Sequence, residues 1–247
     1  MTLPRRFARR LAMVLFVCGM SVCTASNATS PRLNETWRQE AHNAFWWPTG
    51  DTLNTDAAAS GPIQHLLDSV YIHAKVQDHL PHELWEALCR QVETAISVWD
   101  KPDQGIWEAR GEPKHYVSSK LMCWVAVDRG SRLADRIGDE DRLNRWSKAA
   151  EKIRKDILDR GVSDRGVFRQ HYETDALDAS TLLIPLVRFL PSDDERVVNT
   201  VEAIDRELTQ YGFVLRYRVD ETDDGQHGEE ATFLICSFWL VSALSEI

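Results

Sequence analysis

Two separate sets of glutamates are the residues best suited to do chemistry in this chain. Glu108 directly follows Trp107 in a glycine-punctuated loop, whereas Glu229 and Glu230 stand just before an aromatic-rich apolar segment. An indole beside a carboxyl group excludes water and favours the protonated form, which a general acid requires. One of the later pair could hold a water as general base. The plainer alternative is a surface Glu108 and two acids that stabilise a helix N-terminus.

Glu108 and Glu229 are far apart in sequence, so only tertiary structure could bring them together. An acid and a base separated by about 6.5–9.5 Å would fit inverting glycoside hydrolysis. Other chemistries have weaker support, because the chain lacks HExxH, P-loop and G-x-S-x-G motifs. Cys123 and Cys236 also lack partners at metal-ligand spacing. We therefore expect neither a metal nor a cofactor.

The overall composition is that of a folded domain. The chain has 247 residues, of which 43% are hydrophobic and 27% charged, and its formal net charge is −9. An acidic chain is a poor candidate for neutralising phosphates, so we expect no nucleic-acid partner. The 5 cysteines do not form a disulfide framework.

The N-terminus has the pattern of a secretory signal peptide. Arginines cluster in the first ten residues, an apolar run covers 11–22, and small residues follow. The run is shorter than the roughly 20 residues of a spanning helix, so we expect no stable membrane span. If the signal is genuine, the protein is secreted or periplasmic; otherwise it is cytoplasmic.

Three segments are predicted: a signal-peptide-like segment over 1–26, a linker or irregular segment over 27–61, and a helical domain over 62–247. Apolar residues at i, i+3, i+4 and i+7 predict about seven helices in this domain. They are expected near residues 62–74, 84–99, 121–137, 143–157, 177–190, 197–208 and 232–244. The alternating stretch 213–218 could form a strand. The predicted class is all-α.

Four sequence blocks, in order over residues 62–247, carry a family resemblance. The first is Asp103-x-Gly105-Ile106-Trp107-Glu108-x-Arg110-Gly111, and the second runs from His115-Tyr116 through Ser119-Lys120 to Asp128-Arg129. The third is Asp175-Ala176-Leu177-Asp178-Ala179-Ser180, and the fourth joins Arg216-Tyr217-Arg218 to Gly228-Glu229-Glu230-x-Thr232-Phe233. The chain resembles glycoside hydrolase family 15, which contains glucoamylases, glucodextranases and bacterial trehalases.

The resemblance implies an α/α toroid of six helical hairpins that hydrolyses α-glucosidic bonds with inversion. It implies that Glu108 is the general acid and Glu229 the general base, with Glu230 as the alternative base. Substrate-binding residues implied or suggested by the same blocks are Trp107, Arg110, Tyr116 and Lys120. The expected partner is a small carbohydrate, such as trehalose or an α-gluco-oligosaccharide.

The chain also departs from the family pattern. Full members have an N-terminal β-sandwich and twelve helices, whereas about seven helices are predicted here. A partial toroid would expose apolar inner faces, which predicts a homodimer or pairing with a missing N-terminal half. The alternative function is therefore a truncated, non-catalytic member that acts as a carbohydrate-binding or interaction module.

Overall fold

The computed structural model describes residues 82–222 and 232–247. All of them belong to one compact unit, Asn54–Ile247. The elements are α1 (His82–Val98), α2 (Val117–Ile137), α3 (Glu140–Arg160), a 3-10 turn (Ala179–Leu182), α4 (Leu183–Leu186), α5 (Glu195–Glu207), β1 (Thr209–Gln210), β2 (Phe213–Val214) and α6 (Leu234–Glu246). The predicted all-α class is confirmed, and the helices are consistent with a fragment of the expected toroid.

Several predictions fall on residues that are not described. The signal-like segment 1–26, the segment 27–61, the helix expected near 62–74, and both Glu229 and Glu230 lie outside the described ranges.

Helix α2 is the central helix of the described unit, because nearly all of its faces are covered. Its apolar residues from Val117 to Ala134 are buried, and so are Lys120 and Arg129. The guanidinium of Arg129 donates to Val187 O at 2.8 Å and pairs with Asp128 at 2.5 Å. Helix α2 ends at Gly138, which has φ 78° and donates its amide to Ala134 O and Asp135 O. A left-handed residue at this position closes the helix, and glycine adopts it without steric cost.

Helix α3 is amphipathic and packs against α2 along one stripe. Its buried residues are Trp146, Ala150, Ile153 and Ile157, which recur at helical spacing. Asp139 caps the start of α3, where its carboxylate accepts a bond from the Arg142 amide. The predicted fourth helix therefore exists and extends further in both directions than its apolar stripe.

Gly130 marks a close approach between α2 and the residues packed against it. A Cβ atom built there would lie 2.5 Å from Val92 Cγ2 and 3.3 Å from Trp146 Cε3. We expect Gly130→Ala to lower the free energy of unfolding by about 1–3 kcal/mol, because overpacking outweighs the helix propensity of about 1 kcal/mol that alanine gains over glycine. Urea unfolding followed by circular dichroism measures this change. Asn144→Ala on the exposed face of α3 is the control, and equal stability of both variants would contradict the close packing.

The prediction of one continuous helix over 177–190 is wrong. The chain there is extended at Asp178, makes a 3-10 turn, and completes only the short helix α4 before Arg188 reverses it with φ 56°. Residues 176–185 are all buried. In a segment that is covered on every side the apolar residues are not confined to one face, so periodicity cannot distinguish its conformation.

The predicted strand is present in part. Strands β1 and β2 form a short antiparallel hairpin, with Thr209 opposite Val214 and Gln210 opposite Phe213. Its turn places Tyr211 at φ 50° and Gly212 at φ 87°, the left-handed pair that suits a two-residue hairpin. Val214 also joins the hairpin to α6, since its amide donates to Ser237 Oγ at 3.0 Å.

Among the residues described, no helix is both long enough and apolar enough to cross a membrane.

Candidate active site

The loop that carries Glu108, residues 103–114, is closed at its base by backbone pairing. Asp103 N donates to Lys114 O at 2.9 Å, and Lys114 N donates to Asp103 O at 2.8 Å. The Asp103 carboxylate then accepts from Gly105 N at 2.7 Å and from Ser119 Oγ, on α2, at 2.8 Å. These bonds fasten one end of the Glu108 loop to the central helix.

Gly105 is required where the loop crosses Tyr116. Its φ is 69°, and a Cβ atom there would lie 2.9 Å from the Tyr116 ring. Tyr116 itself is only 5% exposed and packs edge-on against His171. The described contacts of Tyr116 are therefore those of a buried support, and its predicted contact with sugar stays a prediction.

Glu108 occupies a backbone conformation that is uncommon for a residue with a side chain. Its φ is 52°, and its side chain is exposed. The turn is held by bonds from Glu108 N to Gly105 O at 3.2 Å and from Ala109 N to Gln104 O at 2.9 Å. Non-glycine residues are held at positive φ only when their surroundings enforce it, which is common at functional sites.

The neighbouring Trp107 is fixed by a buried carboxylate. Its Nε1 donates to both oxygens of Asp178 at 3.0 Å each. Asp178 also accepts from Gln170 Nε2 at 3.0 Å and from Ser180 N at 2.8 Å. Burial raises the pKa of Asp178, and the bonds from Ser180, Trp107 and Gln170 oppose that rise.

Aromatic and cationic groups surround the Trp107 ring. Phe233 meets it edge-on at 5.7 Å, and Trp239 of α6 packs at 6.1 Å with an interplanar angle of 41°. The guanidinium carbon of Arg216 lies 5.6 Å from the ring centroid, a distance at which cation–π attraction operates. Two distant blocks of the sequence, the third with Asp178 and the fourth with Arg216 and Phe233, thus converge on the Trp107 indole.

Lys120 is also buried, with 1% of its surface exposed. Its ammonium donates to Lys101 O. Burial lowers the pKa of Lys120, and the nearby Asp103 carboxylate opposes this. Lys120 contacts the protein in the described structure, and its predicted contact with sugar stays a prediction.

Burial raises the pKa of the Cys123 thiol to about 12, so this cysteine is inert at neutral pH.

The predicted site residues thus separate into groups. Trp107, Glu108 and Arg110 share one loop, where Arg110 is exposed. Tyr116 and Lys120 lie beneath that loop in α2 or at its start. The predicted base, Glu229 or Glu230, lies outside the described residues.

Asp178 is absent from the site residues predicted from the sequence, although it lies in the third block of the family resemblance. A usable signal was present: Asp178 is an acid inside the otherwise uncharged stretch 176–187. Charged side chains are rarely buried unless they are satisfied by partners.

Asp103 makes stability depend on pH in a defined direction. Burial raises its pKa, so between the ordinary value of 3.8 and that higher value the native state binds more protons than the unfolded state. The contribution of Asp103 therefore falls as pH rises. We expect the free energy of unfolding of Asp103→Asn, relative to wild type, to increase from pH 4 to pH 7. Urea titrations at both pH values measure the slope, with the exposed Asp175→Asn as control; a difference that decreases with pH would contradict the assignment.

Cys89, Cys123 and Cys236 are buried, and none of them forms a disulfide bond among the described residues. Among the described residues, no group of three or more His, Cys, Asp or Glu side chains could hold a metal ion.

Comparison with known proteins gives consistent matches. Residues 62–246 match the family Glycosyl hydrolases family 15. The trehalase of Mycobacterium tuberculosis H37Rv is 61% identical over 182 residues, which covers 74% of this chain and 27% of that enzyme. The trehalase of Mycolicibacterium smegmatis is 60% identical over 214 residues, covering 85% and 32%. That of Thermoplasma volcanium is 33% identical over 181 residues, covering 72% and 29%.

Solved structures agree on the fold. A wild-type glycosidase superposes with a TM-score of 0.63 at 22% identity, covering 78% of this chain and 50% of that one. A glycosidase variant in complex with glucose gives the same TM-score over 78% and 49%. At this identity the likeness establishes the fold alone. The chain spans 27% to 32% of the length of the two mycobacterial trehalases. The match over residues 62–246 places the chain in glycosyl hydrolases family 15.

Proposed function

We propose that this chain takes part in the hydrolysis of an α-glucosidic bond with inversion, and that trehalose is its first candidate substrate. The observation that carries the proposal is the presentation of Glu108. Its carboxyl group is exposed at a positive-φ position, in a loop fastened by the partly buried Asp103 on one side and by Trp107 on the other. The trehalases that are about 60% identical to this chain support trehalose as the substrate.

In the proposed reaction, Glu108 protonates the glycosidic oxygen as the bond to the anomeric carbon breaks. Glu229 takes a proton from a water that attacks the opposite face of the sugar, and Glu230 is the alternative base. Trp107 and Arg110 are the proposed sugar contacts from the Glu108 loop. Tyr116 and Lys120, which are buried beneath this loop, serve in this proposal to hold its shape.

A second candidate function is an interaction module. Phe233, Leu234 and Ile235 at the start of α6 are 48%, 50% and 44% exposed. Adjacent apolar side chains on a surface favour a protein partner, such as a second copy or the part of a longer protein that supplies further helices. Sedimentation analysis together with sugar-binding measurements would detect this activity.

The test of the first candidate follows the anomeric protons of glucose by NMR during incubation of the full chain with trehalose. Inversion at the attacked carbon of trehalose gives one β-glucose, whereas the leaving glucose keeps its α configuration. Early spectra should therefore contain equal amounts of both anomers, and retention would give α-glucose alone. Reaction in ¹⁸O-labelled water should place the label in the β-glucose. Maltose and isomaltose, run in parallel, identify the preferred linkage.

Each outcome decides between the candidates. Equal early anomers from trehalose support inverting hydrolysis, and α-glucose alone contradicts inversion. A helical, soluble protein that binds trehalose and releases no glucose contradicts hydrolysis and favours a non-catalytic carbohydrate-binding module.

A further inference from the structure

We infer that Asp178 is a positioning residue that holds Glu108 in its working orientation through the indole of Trp107. The catalytic relevance of this inference rests on the proposed function, whereas the structural link can be measured without turnover. Asp178 lies beneath the Glu108 loop and is 1% exposed, so it acts through another residue.

Both carboxylate oxygens of Asp178 take part in the contact with Trp107. The single indole N–H lies 3.0 Å from each carboxylate oxygen, so it is shared between both. This bond joins positions 71 residues apart in sequence. Rotation of the Trp107 side chain would break it and would leave a fully buried carboxylate without one of its donors, which is costly.

A carboxylate is the group that suits this position. The donors described around Asp178 are Trp107 Nε1, Gln170 Nε2 and Ser180 N, all of them neutral. An ionised carboxylate accepts from all three, whereas an amide would turn an N–H₂ group toward one of them. Burial without a cationic donor carries a desolvation cost. The presence of an acid at position 178 is therefore explained by the groups that its carboxylate holds, among them the Trp107 indole.

The segment around Asp178 also fixes the residues on the other side of Trp107. Ala179 N donates to Arg216 O at 2.8 Å, and the Arg216 guanidinium lies over the Trp107 ring. Trp107 is thus held at its edge by Asp178 and over its face by Arg216. Because Glu108 is the next residue and sits at φ 52°, a fixed indole restricts the backbone from which its carboxyl group projects.

The same network includes Thr222. Gln170 Nε2 donates to Asp178, and Gln170 Oε1 accepts from Thr222 Oγ1 at 3.3 Å. Thr222 is the last described residue before the stretch that contains Glu229.

The experiment compares Asp178→Asn with wild type in the full, ¹⁵N-labelled chain. Trp107→Phe identifies the Trp107 indole signal by its loss. In Asp178→Asn we expect the Trp107 indole N–H signal to shift. We also expect hydrogen exchange of this indole N–H and of the Glu108 backbone amide to accelerate at least tenfold. The indole of Trp146, which donates to Glu93, reports whether the rest of the fold is intact.

The kinetic readout separates positioning from binding. In Asp178→Asn we expect kcat on trehalose to fall by about ten- to a hundredfold and KM to change less than about threefold. The reason is that a displaced acid reduces stabilisation of the transition state more than it reduces binding of the substrate. The double variant with Trp107→Phe should lose no more than the worse single variant, since both act through one bond. Asp175→Asn, an exposed acid three residues away, should match wild type in all measurements.

The outcomes are distinct. An unmoved Trp107 indole and an unchanged Glu108 amide in Asp178→Asn would overturn the inference, as would multiplicative losses in the double variant. If Asp178→Asn does not fold, Trp107→Phe must produce the same acceleration of Glu108 amide exchange, and its absence overturns the inference equally. If wild type releases no glucose while the spectroscopic changes occur, the proposed function fails and the positioning of Glu108 by Asp178 stands.

Discussion

Replacing Glu108 by glutamine is expected to lower glucose release from trehalose by about a hundred- to ten-thousandfold, the contribution typical of general acid catalysis. Glutamine keeps the size of the side chain and removes the proton that Glu108 gives to the leaving oxygen in the proposed reaction. Because Glu108 is exposed, the substitution should leave the free energy of unfolding within about 0.5 kcal/mol of wild type. The measurement is the initial rate of glucose formation at saturating trehalose.

Glu112→Gln is the matched control, since Glu112 is an exposed glutamate of the same loop. It should retain the wild-type rate. Similar rates for Glu108→Gln and wild type would remove Glu108 from the mechanism, and similar losses in both variants would indicate a general effect of loop charge.

The largest expected effect on stability is that of Trp146→Ala. Trp146 is fully buried, packs against Trp85 at 5.7 Å and lies against the Gly130 position of α2. Removing a buried aromatic side chain loses its transfer free energy and leaves a cavity, so we expect a loss of about 3–5 kcal/mol in the free energy of unfolding. Urea unfolding of the full chain, followed by far-ultraviolet circular dichroism, measures it.

Trp146→Phe separates packing from hydrogen bonding. The Trp146 Nε1 donates to Glu93 Oε1 at 2.9 Å, and the Glu93 side chain is 39% exposed, so water can replace that donor. We expect Trp146→Phe to cost clearly less than Trp146→Ala, because most of the ring volume remains. Equal losses would mean that the bond to Glu93, rather than the ring, stabilises this contact.

Two anchoring contacts of the Glu108 loop explain why its solvent-exposed turn can hold an uncommon backbone conformation. Asp103 ties its base to Ser119 of α2, and Trp107 ties its tip to Asp178. Ser119 and Asp178 are both buried, so the strain at Glu108 is opposed by contacts whose loss would cost free energy. Such support for a reacting group by a surrounding layer of bonds is a general requirement of precise sites.

The sequence by itself determined the helical class, the position of most helices and the block that contains Glu108. Helix α3 illustrates why: Trp146, Ala150, Ile153 and Ile157 recur at a spacing that only a helix places on one face. Local periodicity is written in the order of residues, so it can be read without knowing what packs against it.

Only the tertiary structure decided the form of the segment around Asp178 and the partners of Trp107. Residues 176–185 are buried on all sides, and uniform burial erases the periodic signal that separates a helix from an extended chain. The bond between Trp107 and Asp178 joins positions 71 residues apart, so local sequence patterns contain no trace of it. Long-range contacts depend on how whole elements pack, and this packing turned an unassigned acid into the residue that fixes the orientation of the Glu108 loop.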